Sequence, residues 1–384
     1  MDFELGGDER ALRAVVREFA DTRVRPGATE RDRTESFPSR PIEEMKGLGL
    51  LGLMIPTEYG GAGLGTLAYA IAIEEVSRAD AALGTITAVH NSVATYPILL
   101  FGNDEQKRTY LPQLASGARL GAFCLSEAAS GSDAQAMEAT ARREGDEFVL
   151  RGTKLWVTNA RVAGLFIVFA RTPEFEKAGS RRSISAFVVE AGTLGLEVGR
   201  KEDKMGLRSS DTCEVRLHDA RVPRGALLGE PGTGFRIAMA TLDGGRIGIG
   251  AQATGIGQAA LTDALAYAKV REQFGRPLGA FQAIQWKLAD ASLRLEAARL
   301  LVWQAAWRKD EGLPFTRAAA CAKLFATTAA REVCSDMLQV LGGVGYTADY
   351  PLERYFRDVK VTEIYEGTSE IQRNVIARHA LGAR

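Results

Sequence analysis

Twice along this 384-residue chain the spacing of apolar residues changes its period. Between Leu120 and Leu228 they gather in short β-branched and aromatic runs, Phe148-Val149-Leu150, Leu165 to Ala170, Ile184 to Glu190 and Cys213 to Leu217, each bounded by turn residues. Such runs predict strands. Beyond Gly234 the residues Ile284, Leu288, Ala291, Leu295, Ala298 and Val302 follow helical spacing and place one apolar stripe on a long helix. Ahead of Leu120, Ala-, Leu- and Glu-rich stretches around Arg10 to Ala20, Pro41 to Leu50 and Thr66 to Arg78 are separated by Gly and Pro, with Gly60, Gly61, Gly63 and Gly65 forming a loop. Helix, strand and helix in successive blocks predict an α+β multidomain chain. Its expected parts are an N-terminal helical domain over 1–118, a middle β-barrel-like domain over 119–228 and a C-terminal four-helix bundle over 229–384.

Charge and cysteine usage remove several functions. Forty-eight Lys and Arg balance forty-eight Asp and Glu, so no basic excess exists to neutralise a nucleic-acid backbone. Cys124, Cys213, Cys321 and Cys334 are far apart, without a C-x-x-C pair or a His at ligand spacing; they read as reduced core thiols, and no metal site is expected. The stretch Met1 to Arg17 mixes both charges and lacks an apolar run, which predicts a cytoplasmic protein. Ala81 to Asn103 carries no Asp, Glu, Lys or Arg before its end, yet His90, Asn91, Ser92 and Thr95 stud it. It reads as a buried helix lining a pocket, not as a membrane span.

Gly248-Ile249-Gly250 superficially suggests a dinucleotide loop, but no strand precedes it, and close helix packing is the better reading. Walker A, H-E-x-x-H and G-x-S-x-G motifs are absent. Trp156 and Thr158 stand two apart in a strand pattern, which would put ring and hydroxyl on one face, able to cover a flat heteroaromatic and hydrogen-bond to it. Phe123 to Asp133 ends in a small-residue turn that suits an electron-rich ring edge or an anion, or is a plain turn. Glu366, between Tyr365 and Gly367, is a candidate general base or a solvated loop carboxylate, and Thr368 is placed to cap the next helix.

Six segments in order and spacing resolve these alternatives together: Phe123 to Asp133, Leu155 to Asn159, Leu242 to Ile249, Arg271 to Gly275, Gln339 to Tyr346 and Ile364 to Arg373. With them the chain resembles the acyl-CoA dehydrogenase family over essentially its whole length, most nearly its short-chain, butyryl-CoA-type or short branched-chain branch. The resemblance implies FAD. Phe123, Leu125 and Ser126 would bind the isoalloxazine, Trp156 would pack on its face and Thr158 would approach N5. Arg271 and Phe274, reaching from a neighbouring subunit, would hold the pyrophosphate and adenosine half with Gln282, Gln339 and Gly343, while Thr368 and Glu370 would close over the same cofactor. Ser132, Asp243, Arg246 and Gly367 fall where the family binds the acyl-CoA; Arg246 could equally pair with a nearby carboxylate.

The implied chemistry is α,β-dehydrogenation to a trans-2-enoyl thioester, with Glu366 as α-proton base, hydride passing to flavin N5, and the Glu366 N–H and a ribityl hydroxyl as enolate donors. Electron-transfer flavoprotein is the expected acceptor and a homotetramer, a pair of dimers, the expected assembly. An acyl-CoA oxidase or other flavin-oxygen enzyme, and a non-catalytic flavin-binding assembly partner, are the competing readings. Some branches of the family carry the base immediately before the arginine of the Leu242 to Arg246 motif, a place taken here by Gly245. Gly84 stands where the glutaryl-CoA branch has an Arg, which argues against a dicarboxylate substrate. Departures from the family pattern are Ala128-Ala129 for Pro-Gly, Ser126 for Thr, and Asp211, which either restricts the CoA end or faces solvent.

Overall fold

The computed structural model describes residues 4–176 and 183–382. Helices come first: α1 (Gly7–Phe19), α2 (Ala28–Thr34), α3 (Ser39–Gly47), α4 (Thr66–Ala79), α5 (Ala81–Val89), α6 (Tyr96–Phe101) and α7 (Asp104–Ala115). Asp80 starts α5 by accepting the N–H groups of Ala82 and Leu83 at 3.0 and 3.2 Å, and Arg31 neutralises it at 2.8 Å. The uncharged stretch after it is buried helix, with a π turn over His90–Ala94. Its polar groups face protein partners: Nδ1 of His90 accepts the Gly121 N–H at 3.1 Å, and Nε2 lies 3.0 and 3.1 Å from the carbonyls of Leu51 and Leu114. Among the described residues no helix is long and apolar enough to cross a membrane.

Strands β1 (Leu120–Cys124), β2 (Thr140–Glu144), β3 (Glu147–Thr158), β4 (Ala163–Arg171), β5 (Ile184–Glu190), β6 (Leu196–Lys201), β7 (Thr212–Pro223) and β8 (Leu227–Leu228) follow. They form one sheet of order β6-β7-β3-β2-β4-β5-β8, with β1 added in parallel to β4. Its path is open at β6 and β8. Alternation along β4 explains how it holds two cores: Phe166 and Val168 pack with Phe148, Phe187 and Val215 inside the β domain, whereas Leu165, Ile167 and Phe169 pack with Leu111, Leu114 and Ile237 from the helices. One strand therefore ties the sheet to both helical parts.

The rest is α8 (Gly234–Val270), the two-residue strands β9 (Glu272–Gln273) and β10 (Arg276–Pro277), α9 (Gln282–Asp310), α10 (Thr316–Leu341), α11 (Leu352–Lys360) and α12 (Ser369–Ala380). Helix α8 has 37 residues, about 55 Å at 1.5 Å per residue. The Gly248-Ile249-Gly250 run lies inside it, as close helix packing requires: a Cβ at Gly248 would overlap the Tyr69 hydroxyl of α4, and one at Gly250 would meet Val302 of α9 at 2.9 Å. Gly257 meets Leu295 of α9 and Ala330 of α10 in the same way. These pairings set directions. Asp243, Gly250 and Gly257 meet Thr316, Ala322 and Ala330 in rising order, so α8 and α10 run parallel, with α9 antiparallel between Lys309 and Leu295. On α9 the residues Ala291, Leu295, Ala298 and Val302 are buried as their spacing predicts.

Three local features bear on these expectations. Register slips between Lys154 and Val157 of β3, where three steps oppose two on β7, and Trp156 takes φ 56°. The bulge interrupts pairing at Leu155 and Trp156, while burial still alternates over Trp156, Val157 and Thr158, exposed, buried and half-buried. Asp211 is 5% exposed; its carboxylate accepts the Arg161 N–H at 2.8 Å and its carbonyl the Asn159 N–H at 2.7 Å, so it closes the turn after β3 and does not face solvent. A Cβ at Gly84 would overlap the Ser77 hydroxyl of α4. Packing against Ser77 is the physical reason for glycine there, and a position that admits no Cβ offers no arginine to a second substrate carboxylate.

Candidate active site

The loop between α11 and α12 builds the site. Glu366 and Gly367 both hold positive φ, 52° and 93°, a sharp reversal in which the glycine is at ease and the glutamate is not. Thr368 then caps α12 as its type predicts, accepting the Ile371 N–H at 3.4 Å. The reversal turns the Glu366 carboxylate inward onto α8, where a Cβ at Gly245 would overlap Oε2 and stand 3.1 Å from Cγ1 of Val93. Only a residue without a side chain leaves that space open.

Oε2 of Glu366 is buried and finds no hydrogen-bond partner among the described residues. Burial pushes this carboxyl up to about 7, against the pull of the Lys323 and Arg246 cations. A solvated loop carboxylate is excluded. An unpaired, buried, half-ionised carboxylate at neutral pH is poised to accept a proton from something placed against it. Its ionised form is the base, so the rate of the free enzyme is expected to rise with pH through about 7 and level off above it. A kcat/KM–pH profile flat from pH ~5 to ~8 would place the base elsewhere.

Arg246, on the turn of α8 beside Gly245, donates to Asp243 at 2.5 Å, and Thr316 donates to the second Asp243 oxygen at 2.6 Å. The carboxylate pairing open for Arg246 is thus present, while its Nη2 stands 3.9 Å from the Cβ position of Gly367. Asp243, Arg246, Glu366 and Gly367 are gathered at one spot; Ser132 lies exposed in the turn after β1 with no contact to them recorded.

That turn is anchored from below. The Ser126 carbonyl accepts the Leu155 N–H at 2.9 Å, and Nζ of Lys154, fully buried, reaches the Leu125 carbonyl at 3.1 Å and Glu127 at 2.6 Å. Glu127 in turn accepts the Glu138 N–H at 2.6 Å. This ion pair holds Leu125 and Ser126 against the Trp156 bulge, leaving the indole 57% exposed. Phe123 stacks edge-on against Phe169 at 5.0 Å.

Arg271, Phe274, Gln282, Gln339 and Gly343 fall elsewhere. From Gly245 to Arg271 is 26 residues of α8, about 39 Å of axis, and α10, parallel to α8, carries Gln339 and Gly343 to that same far end. No single small cofactor bridges the two groups within one chain. Phe274 is 94% exposed, Arg271 and Gln282 are exposed, and no atom lies within 4 Å of a Cβ at Gly343. The residues fit a flavin dinucleotide if each cofactor meets the Ser126, Trp156, Thr158, Thr368 and Glu370 group of one chain and the far-end group of another: an exposed indole beside a braced turn at one end, and open backbone with an unpaired guanidinium at the other.

Family models cover nearly the whole chain: acyl-CoA dehydrogenase N-terminal domain over residues 7–118, middle domain over 122–220 and C-terminal domain over 232–381. The chain belongs to the acyl-CoA dehydrogenase family. Human mitochondrial short-chain specific acyl-CoA dehydrogenase is 50% identical over 378 residues, 98% of this chain and 91% of that one. Butyryl-CoA dehydrogenase from Megasphaera elsdenii superposes with a TM-score of 0.96 at 42% identity, covering 99% of this chain and 100% of that one. A chain solved in work on the electron transferring flavoprotein of Acidaminococcus fermentans superposes equally well, TM-score 0.96 at 45% identity over 99% and 100%.

Three residues of this acyl-CoA dehydrogenase escaped the sequence reading. Lys323, Lys154 and Gln252 are buried polar side chains on helix or strand, and a lysine or glutamine in an otherwise apolar stripe is the signal that marks them. Lys323 donates to the carbonyls of Tyr365 and Gly367. Gln252 accepts from the Tyr365 hydroxyl and donates to Thr85 Oγ1 at 2.6 Å and the Ala81 carbonyl at 3.0 Å.

Proposed function

We propose that this acyl-CoA dehydrogenase desaturates short-chain acyl-CoA thioesters between Cα and Cβ, with Glu366 as the base. The carrying observation is its carboxylate: buried, unpaired and set over the glycine-bared face of α8. FAD, the family's cofactor, supplies the hydride acceptor when bound. Glu366 takes the α-proton, and the cations of Lys323 and Arg246 keep part of its population ionised at neutral pH. Leu125 and Ser126, braced by Lys154, together with Trp156 and Thr158 hold the ring, Thr368 and Glu370 close over it, and the far-end group led by Arg271 serves a neighbouring chain's cofactor.

Gln252 supports a short acyl chain. It lies seven residues from Gly245, two turns along the same face of α8 or about 10 Å, and its bonds to Tyr365, Thr85 and Ala81 fill the space between α8 and α5. Anaerobic titration of the FAD enzyme with straight and branched acyl-CoAs from butyryl to dodecanoyl tests the whole reading. Bleaching is expected to be fastest with the shortest chains, and Gln252→Gly is expected to move the optimum to longer ones; an unreactive flavin with every thioester would defeat it. Slow reoxidation of the product-free reduced enzyme by air separates a dehydrogenase from an oxidase.

Electron-transfer flavoprotein is the proposed acceptor, supported by the structural neighbour solved in work on that protein. A homotetramer in the cytoplasm completes the proposal. Exposed Phe274, Trp286 and Leu293, 94%, 64% and 67% accessible around the start of α9, favour assembly through this end of the chain.

A further inference from the structure

Lys323 is 1% exposed on α10, and its Nζ donates to the Tyr365 carbonyl at 2.7 Å and the Gly367 carbonyl at 2.5 Å, the two carbonyls that flank Glu366. Among the described residues no carboxylate lies within ion-pair distance of it. A buried ammonium without an anionic partner is costly and needs a reason. The geometry of the loop supplies one. In a trans peptide the C=O and N–H point in opposite directions. Turning the Tyr365 carbonyl onto Nζ therefore turns the Glu366 N–H away from α10, and that N–H has no acceptor among the described residues. The second bond, to Gly367, closes the reversal in which Glu366 holds φ 52°.

We propose that Lys323 is the positioning residue of this reaction, its ammonium clamping both carbonyls beside Glu366 so that the carboxylate faces the substrate α-carbon and the Glu366 N–H faces the thioester oxygen. This inference rests on the functional reading above. The clamp also acts through charge. Glu366 is faced by Arg246 from α8, Tyr69 from α4, Lys323 from α10 and the neighbouring Tyr365. Arg246 is engaged with Asp243, which leaves Lys323 as the cation not already committed to a carboxylate; burial pushes its ammonium down to about 7 while the Glu366 charge holds it up, so each group supports the other's charged form. Removing that charge disfavours the ionised base.

The test compares FAD-loaded wild type, Lys323→Met and Lys323→Gln. Three readouts are taken: flavin reduction by butyryl-CoA across pH, acyl-CoA binding, and the extent to which bound acetoacetyl-CoA ionises to its enolate, read by ultraviolet absorbance. Lys323→Met is expected to keep FAD and bind acyl-CoA, to lose at least about 10²-fold in reduction rate, and to ionise less of the bound ketoacyl probe. Its pH–rate midpoint is expected to rise by about one unit. Lys323→Gln keeps a donor for one carbonyl without the charge; it is expected to regain part of the rate and of the enolate while its midpoint stays high. A Met variant with wild-type midpoint and wild-type enolate fraction, slow only in proportion to lost flavin, overturns the proposal. Should the Met variant fail to fold, the Gln midpoint alone decides: raised supports the clamp, unmoved overturns it. Wild type inert to every acyl-CoA sinks the functional reading itself, a failure distinct from that of Lys323.

Discussion

Glu366→Gln is expected to retain FAD and acyl-CoA binding and to lose at least about two orders of magnitude in the rate of flavin reduction, as removal of a general base does. The change is nearly isosteric, so the Gly245 notch still accommodates it, and only proton acceptance is lost. Stability should move the other way. Oε2 is buried without a partner, and burial holds the folded-state carboxyl near 7, above its value of about 4.3 in an unfolded chain. A raised folded-state pKa means that the native state binds more protons than the unfolded state between those limits, so wild type loses stability as pH rises from about 4.3 to about 7. The Gln variant escapes that loss. Its melting temperature is expected to match wild type at pH ~4 and exceed it at pH ~8, by an amount on the order of a few kcal/mol in ΔG. Equal melting temperatures at both pH values, or near-wild-type reduction, would count against a buried catalytic carboxylate.

Gly245→Ala carries the second large effect. The added methyl would occupy the position of Oε2 and press on Val93 at 3.1 Å, in a segment of α8 whose far side is closed at Gly250 by Val302 of α9. Helix propensity alone would favour Ala by about 1 kcal/mol. That gain is expected to be offset by overpacking of about 1–3 kcal/mol. The displaced carboxylate should lower the reduction rate at least about tenfold, because a base shifted by about 1 Å loses its approach to the proton. Stopped-flow reduction, with acyl-CoA affinity measured separately, checks this. Unchanged rates would mean that the Glu366 loop moves freely and that the notch is incidental.

Much of the architecture was readable because it depends on period. The apolar step on α9 and the β-branched runs of β4, β5 and β7 announce their elements wherever they end up in space. Thr368 at a helix start was readable from identity and neighbours, whereas Glu366 before Gly367 left base and solvated carboxylate both open until the six segments of resemblance favoured the base. The positive φ at Trp156 could not be read from the amino-acid order, because a bulge depends on register with β7, which a single strand does not contain. Asp211 left two readings open because a carboxylate in a turn looks solvated until its donors are seen, the Arg161 N–H on its carboxylate and the Asn159 N–H on its carbonyl. At Gly84 the amino-acid order gives the missing arginine, and only the packing against Ser77 gives the reason for a glycine.

The amino-acid order alone determined the helix–strand–helix blocks and the cap at Thr368, which follow from local stereochemistry and side-chain period, and it offered the candidate base through the resemblance of six segments. Folding decided the rest. Only the parallel course of α8 and α10 brings Lys323 under the Glu366 loop and Gly245 beneath its carboxylate, and carries Arg271 about 39 Å away. Proton affinity and reach are properties of surroundings, and the surroundings come from residues remote in sequence, Lys323, Gly245 and Val93.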